Sequence, residues 1–221
     1  MQRDTNINTQ GYWNQRFASG DWEAKGGRRQ SSLFAAAQVN LLRIGPRFRG
    51  RVLDFGCGLG DAMPVYRHRF PLATLVGMDI SPVAVGQCRA AYGHFATFVA
   101  GDHTQAPEAD VIIASNVFEH LADDEEVAAQ LLRKCRELYI IVPYRERLNP
   151  GTEHVNSYDE MAFPSLGPRE HVVFLARGWS QYGWDLWFHV YLKNLARPLF
   201  GRRPVRRNRQ ILFRFVNPAR G

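Results

Sequence analysis

Asp54, Gly56, Gly58 and Gly60 lie in the run RVLDFGCGLGD from Arg51 to Asp61, where an apolar stretch ends in an acid and three alternate glycines follow. That order lets a buried strand turn tightly, so that backbone approaches a ligand where any side chain would collide. The acid at the strand end can meet a cationic group of the ligand. A second acid, Asp79, closes the apolar run Leu75–Met78. Ligands of doubly wound sheets bind outside the carboxyl ends of the strands, near the topological switch point. Asp79 is therefore placed to accept hydrogen bonds from two ribose hydroxyls. Two Glu-His pairs, Glu119-His120 and Glu153-His154, add imidazoles. An unperturbed imidazole titrates near neutrality, as a proton acceptor requires.

The loop is compatible with two kinds of nucleoside. A dinucleotide loop reads G-x-G-x-x-G and seats a pyrophosphate on a helix N-terminus. Here the third glycine arrives early and its place holds Asp61. An acid at a helix start suits the macrodipole but repels a pyrophosphate. Together with Asp54, it favours a cation. S-adenosylmethionine carries a sulfonium and an ammonium and no phosphate, so charge favours it over NAD.

The elements that must position these residues alternate. Strands are expected at 51–55, 74–78, 95–99, 110–115 and 137–142, and helices at 60–68, 82–92 and 123–135. Pro82 after Ser81 suits a helix start. Earlier, residues 1–10 read as disordered, 11–17 as a short helix, and Ser31 or Ser32 as the cap of a helix running to about Ile44. Strand and helix alternation implies a parallel sheet. After Pro143 the pattern breaks into a long polar loop over 144–157, a length that is often functional. A short helix near 158–163, a strand near 171–176 and a strand at 209–216 follow.

The run VLDFGCGLG, Asp79, the segment VAGDH ending at His103, the run ADVIIASNVFEHL from Ala109, and ELYIIVP from Glu137 occur in one order. In that order they resemble the motifs of the class I S-adenosylmethionine-dependent methyltransferases, in particular the small-molecule group. The resemblance covers roughly residues 11–176, with a last strand at 209–216. It implies an α/β fold with a Rossmann-like, doubly wound, seven-stranded sheet, mostly parallel with an antiparallel last strand. It implies S-adenosylmethionine as cofactor, S-adenosylhomocysteine as product, and no metal. Asp54, Gly56, Cys57 and Gly58 would surround the methionine moiety. Asp79 would bind the ribose and Ile80 the adenine. Asp102 would meet the adenine amine, with His103 beside the ring. Ser115 and Asn116 would sit near the methyl end. His120 and His154 are the candidate bases for an oxygen or nitrogen acceptor. Glu-His after the fourth strand is common in this family, so a structural role for His120 stays open. Trp13, Arg16 and Lys25 belong to an N-terminal segment, 1–30, that would cap the cofactor, with a cation there pairing the methionine carboxylate. Residues 31–221 would form the methyltransferase domain.

The net charge of +7 is uneven: Lys193–Gly221 carries nine Lys or Arg and no acid, leaving −2 for the rest. The basic tract joins an insertion at about 177–208 that includes Trp179, Trp184, Trp187, Phe188 and Tyr191. Packing against the domain or a homodimer partner is one use of such a stretch. Peripheral membrane contact through 179–209 is a second, with aromatics at headgroup level and arginines on anionic lipid. Nucleic acid ranks last, because no recognised module accompanies the patch. A small-molecule or lipid-linked acceptor fits the same charges. Three scattered cysteines, no signal sequence and no apolar run long enough for a bilayer suggest a cytoplasmic chain, with the inner membrane surface as a possible station. The rival functions are an RNA methyltransferase, a non-catalytic cofactor-binding partner, and an NAD(P)-dependent oxidoreductase.

Overall fold

The computed structural model describes residues 7–149, 153–176, 187–202 and 208–220. Seven strands form one sheet: β1 (Arg51–Phe55), β2 (Thr74–Asp79), β3 (Thr97–Ala100), β4 (Val111–Ser115), β5 (Glu137–Pro143), β6 (Arg169–Leu175) and β7 (Arg209–Val216). Their order is β3-β2-β1-β4-β5-β7-β6. The first five are parallel, and β7 pairs antiparallel with both β5 and β6. This is the doubly wound sheet with an antiparallel last strand that the motifs imply.

The central strands are apolar almost throughout because helices cover both faces. In β4 and β5 the residues Ile112, Ile113, Ala114, Leu138, Ile140 and Val142 are fully buried. Each large aliphatic side chain buried this way contributes about 1.5–3 kcal/mol. Two clusters result, one on each face. Leu53, Met78, Ile112, Phe118, Leu138 and Phe213 belong to one. Val52, Tyr66, Phe70, Val85, Ile113 and Tyr139 belong to the other.

Among the described residues, six α-helices precede the C-terminal tract: α1 (Gln10–Ala18), α2 (Asp21–Ala24), α3 (Gly27–Gln38), α4 (Met63–Arg69), α5 (Pro82–Tyr92) and α6 (Asp124–Arg133). Pro82 opens α5, and the Ser81 hydroxyl accepts from the Ala84 N–H at 3.2 Å, as its sequence position suggests. Ser81 also donates to Asn14 Oδ1 at 2.7 Å, tying α1 to α5.

Several expected boundaries shift. α3 starts at Gly27, after left-handed Gly26, and ends at Gln38. Neither Ser31 nor Ser32 caps it; the Ser32 hydroxyl instead donates to the Asp61 carbonyl, a tertiary bond no local rule foresees. The expected helix at 158–163 is replaced by a bridge from Tyr144 to Tyr158, a turn, and a 3-10 turn at Pro164–Leu166. Residues 7–9 are ordered by α1: the Thr9 hydroxyl accepts from the Tyr12 N–H, and Asn8 Nδ2 donates to the Glu153 carbonyl at 2.7 Å. Residues 1–6, Trp179, Trp184 and Arg203–Arg207 lie outside the described residues.

Candidate functional site

A pocket opens at the carboxyl ends of β1, β2 and β4, where the strand order reverses between β1 and β4. Asp54, Gly56, Cys57, Gly58, Asp79, Ile80, Asp102, His103, Ser115, Asn116 and His120 all line it. Trp13 and Phe17 from α1, and Trp22 from α2, form an aromatic wall on the N-terminal side.

The turn after β1 needs its glycines. Gly56 has φ 75°, and a Cβ there would lie 2.3 Å from Val117 Cγ2. Gly58 has φ 53°, with only the Phe17 ring near its absent Cβ at 3.7 Å. Gly56 thus answers to packing within the protein, whereas Gly58 presents bare backbone beneath an aromatic ring.

Asp54 and Asp79 end neighbouring strands, are 4% and 8% exposed, and lie close enough to interact. Burial, with the charge of Asp79 adding to it, pushes the Asp54 carboxyl up to about 7. Burial raises Asp79 to about 6 against two backbone hydrogen bonds. Those bonds come from Gly58 N–H to Oδ2 at 2.8 Å and Ser81 N–H to Oδ1 at 2.9 Å. They orient the carboxylate and leave lone pairs for further donors. Two desolvated acids in one pocket strongly favour a cationic ligand.

Asp61, by contrast, is paired within the protein. Its carboxylate receives Arg28 and the Tyr92 hydroxyl, each at 3.0 Å, and it is not part of the pocket wall. Arg28 from α3 thus balances the charge that the sequence alone sets against a phosphate.

Asp102 caps the 3-10 turn at His103–Gln105, accepting from the Thr104 N–H at 2.8 Å and hydroxyl at 2.6 Å. The Thr104 hydroxyl bond lowers its pKa. The acid is exposed and at the pocket edge, so the capping function and contact with a ligand amine are compatible.

Ser115 and Asn116 belong to a closed ring of hydrogen bonds. Ser115 donates to Gln38 Oε1 at 2.9 Å and Gln38 Nε2 to Gln210 Oε1 at 3.1 Å. Gln210 Nε2 donates to Asn116 Oδ1 at 2.9 Å, and Asn116 Nδ2 to the Ser115 oxygen at 3.0 Å. Each member donates to the next. The ring joins α3, β4 and β7 behind the pocket, and holds Asn116 at φ 55°, a conformation Asn tolerates. Gln38 and Gln210, 1% and 2% exposed, gave no signal in sequence.

The two Glu-His pairs meet. The His120 and His154 rings stand edge to face with centroids 4.8 Å apart. His120 Nδ1 lies 3.2 Å from the Glu153 carbonyl and His154 Nδ1 2.5 Å from Glu146 Oε2. Burial, with the neighbouring His154 and Arg16 charges, drives the His120 imidazole down to about 3 despite the Glu153 carbonyl. It stays neutral, which makes it a lone-pair donor and a poor proton store. Burial opposes protonation of His154 as well, but the Glu146 hydrogen bond and the Glu119 charge outweigh it and raise its pKa. Glu119 is 1% exposed, and burial raises its carboxyl to about 8.

α1 closes over this corner. Tyr12 and Arg16 both donate to Glu153 Oε1, and Trp13 packs edge to face on His120 at 5.3 Å. Arg16, expected to meet a ligand carboxylate, is instead paired with Glu153 and set over the Trp13 and Trp22 rings. Lys25 pairs with Asp21 at 3.0 Å.

Residues 53–139 match the family described as "Methyltransferase domain". Among curated relatives, the chain is 33% identical over 81 residues to trans-aconitate 2-methyltransferase of Methylobacterium radiotolerans. That match covers 36% of this chain and 31% of the relative. It is 32% identical over 103 residues to trans-aconitate 2-methyltransferase of Azoarcus sp. strain BH72, covering 46% of this chain and 41% of the relative. The matched part thus spans less than half the length of these relatives. Among solved structures, the plantazolicin methyltransferase BpumL in complex with a triazolic desmethylPZN analog and SAH superposes with a TM-score of 0.57. The two are 17% identical, over 94% of this chain and 95% of that one, a likeness of fold. The sheet order, the pocket at the switch point and the domain match agree: residues 53–139 resemble a methyltransferase domain, set in a Rossmann-like sheet of the kind methyltransferases share.

Proposed function

We propose that the chain binds S-adenosylmethionine and transfers its methyl group to an oxygen or nitrogen of a small-molecule or lipid-linked acceptor. The observation that carries this reading is the pair of buried acids, Asp54 and Asp79, facing one pocket roofed by Trp13, Phe17 and Trp22. Buried carboxylates need a cationic partner, and the aromatic wall suits an adenosyl and sulfonium ligand. Bound there, the cofactor supplies a methyl group already activated on sulfur. The chain then has to hold donor and acceptor in line and exclude water. In this reading Asp54, Gly56, Cys57 and Gly58 hold the methionine end, and Asp79 takes the ribose hydroxyls. Ile80, Asp102 and His103 border the adenine. Ser115 and Asn116, braced by Gln38 and Gln210, shape the methyl end. His120 and His154 act on the acceptor, and residues 1–30 cap the donor.

The curated relatives bear the name of a small polycarboxylate substrate, so trans-aconitate is the first acceptor to assay. The C-terminal tract favours a lipid-linked acceptor as the second. Leu195, Leu199 and Phe200 are 75%, 83% and 76% exposed, beside Lys193, Arg197 and Arg202, with no acid in the tract. Among the described residues no helix is long and apolar enough to cross a membrane. The surface instead matches contact with the anionic inner face of a cytoplasmic membrane.

The test uses methyl-labelled S-adenosylmethionine, purified protein, trans-aconitate, and separate metabolite, lipid, RNA and protein extracts of the source cells. Label in the small-molecule or lipid fraction is expected. Label in RNA alone, or cofactor binding with no label in any fraction, overturns the acceptor class or the catalytic reading respectively.

A further inference from the structure

The Glu119 carboxylate is the anomaly of the site. It is 1% exposed, and neither Oε1 nor Oε2 has a hydrogen-bond partner. Leaving a carboxylate buried and unpaired costs several kcal/mol unless a cation or proton meets it. No Lys or Arg pairs with it among the described ion pairs. What does face it is a pair of imidazoles: one ligand atom each from Glu119, His120 and His154 lie within 4.8 Å of one another.

Both imidazoles are backed as metal ligands commonly are. Each has its Nδ1 engaged from behind, by the Glu153 carbonyl for His120 and by Glu146 for His154. When Nδ1–H donates outward to a carbonyl or carboxylate, Nε2 keeps its lone pair and its direction is set. A carboxylate backing one histidine and a carbonyl backing the other is the usual outer arrangement of a metal centre. The supports differ in kind. The backbone of Glu119 accepts from the Val155 N–H at 2.7 Å, pinning the 3-10 turn that carries Glu119 and His120 against the segment that carries His154. Trp13 packs on the outer edge of His120.

We propose that Glu119, His120 and His154 form a binding site for one divalent transition-metal cation, bordering the acceptor end of the cofactor pocket. Two imidazoles and one carboxylate select Mn²⁺, Fe²⁺, Co²⁺, Ni²⁺ or Zn²⁺ over Mg²⁺ and Ca²⁺, which take oxygen donors. Three protein ligands leave coordination positions open. His120 also lines the pocket, so those positions border the place where an acceptor hydroxyl, amine or carboxylate would bind. The cation would neutralise Glu119 and fix the acceptor's donor atom at a set distance from the methyl group. This location for the acceptor rests on the function proposed above; the metal site itself does not.

Co²⁺ is the probe, because its visible absorption reports coordination directly. Untagged protein stripped with a chelator is titrated with Co²⁺ and analysed for bound metal, in parallel with S-adenosylhomocysteine calorimetry and thermal melting. One Co²⁺ per chain is expected, with an absorption band that Zn²⁺ displaces. Glu119→Gln and His154→Ala should each lose the band and weaken metal binding at least about tenfold, and Glu146→Gln about ten- to a hundredfold. His171→Ala, at an exposed position on β6, should change nothing, which separates the site from adventitious histidine binding. His154 is only half-buried, so His154→Ala keeps the test alive if Glu119→Gln fails to fold. Absence of Co²⁺ uptake, or uptake equal in all variants, overturns the site while intact S-adenosylhomocysteine binding leaves the methyltransferase reading standing. Metal binding without S-adenosylhomocysteine binding overturns the cofactor reading and leaves the metal site.

Discussion

Acidifying the solution should strip the cofactor from this protein at a pH where most carboxylates are still ionised. Asp54 titrates at about 7 and Asp79 at about 6, because burial disfavours their charged forms. They share one pocket, so they titrate as a pair and the cofactor's positive charge is felt by both. One pH unit above the Asp54 value about ten carboxyls in eleven are ionised, and one unit below about one in eleven. If the ligand requires the carboxylate, affinity falls about tenfold between pH about 8 and 6, or roughly 1.4 kcal/mol. Below that the slope steepens as Asp79 takes its proton. The sign for stability runs the other way. Both folded-state values are raised above the ordinary 3.8, so their stabilising contribution is complete below that value. It is lost as pH rises through about 6 and 7. The ligand-free protein should therefore lose stability on alkalinisation from these two groups, while the stabilisation conferred by ligand grows. Calorimetric titration with S-adenosylmethionine across this range measures the first effect and thermal melting with and without ligand the second. Asp54→Asn should give weak binding that varies less with pH. A flat profile in the wild type, or an equal slope in Asp54→Asn, would refute the assignment of Asp54 as the titrating contact.

Asp79→Ala should reduce cofactor affinity by about 1.5–3 kcal/mol, the scale of hydrogen bonds to a charged group; wild-type affinity in calorimetry would sink the ribose contact. Gln38→Leu opens the ring of four side chains and leaves the Ser115 hydroxyl without its acceptor and Gln210 Oε1 without its donor, so urea unfolding should show a loss of about 1–3 kcal/mol. Cofactor affinity should fall with it, because Ser115 and Gln210, the two partners of Asn116, are no longer tied to α3. His154→Ala should lower turnover about a hundredfold or more with S-adenosylhomocysteine affinity kept; unchanged turnover would remove His154 from the acceptor's neighbourhood.

The proposed donor half of the site was legible because it is written locally. Asp54 and Asp79 each close an apolar strand, and the glycines follow one of them directly, so strand, turn and ligand acid are contiguous in the chain. The sheet followed from the same alternation: β1 was placed to the residue and β2 to within one. The proposed acceptor half was legible only as parts. Glu119, His120 and His154 stand 34 and 35 residues apart in sequence, and nothing in their spacing says that one loop folds back on the other. Gln38 and Gln210 are 172 residues apart, and each reads alone as a surface glutamine.

Asp61 shows most clearly where local reasoning gives out. Its charge, taken as it stands in the sequence, argues against a phosphate ligand. Folded, it faces Arg28 of α3 and Tyr92 of α5, neither of them near it in the chain. A charge becomes a field only after its partners are subtracted. By that measure the acids that matter are the ones left over, Asp54 in the pocket and Glu119 behind His120, neither of them paired with a Lys or Arg among the described ion pairs. Each is buried, and each is raised in pKa for that reason. In the proposed reading these two buried acids stand at opposite ends of the reaction path, Asp54 for the donor's positive charge and Glu119 for a metal that would displace its proton beside the acceptor.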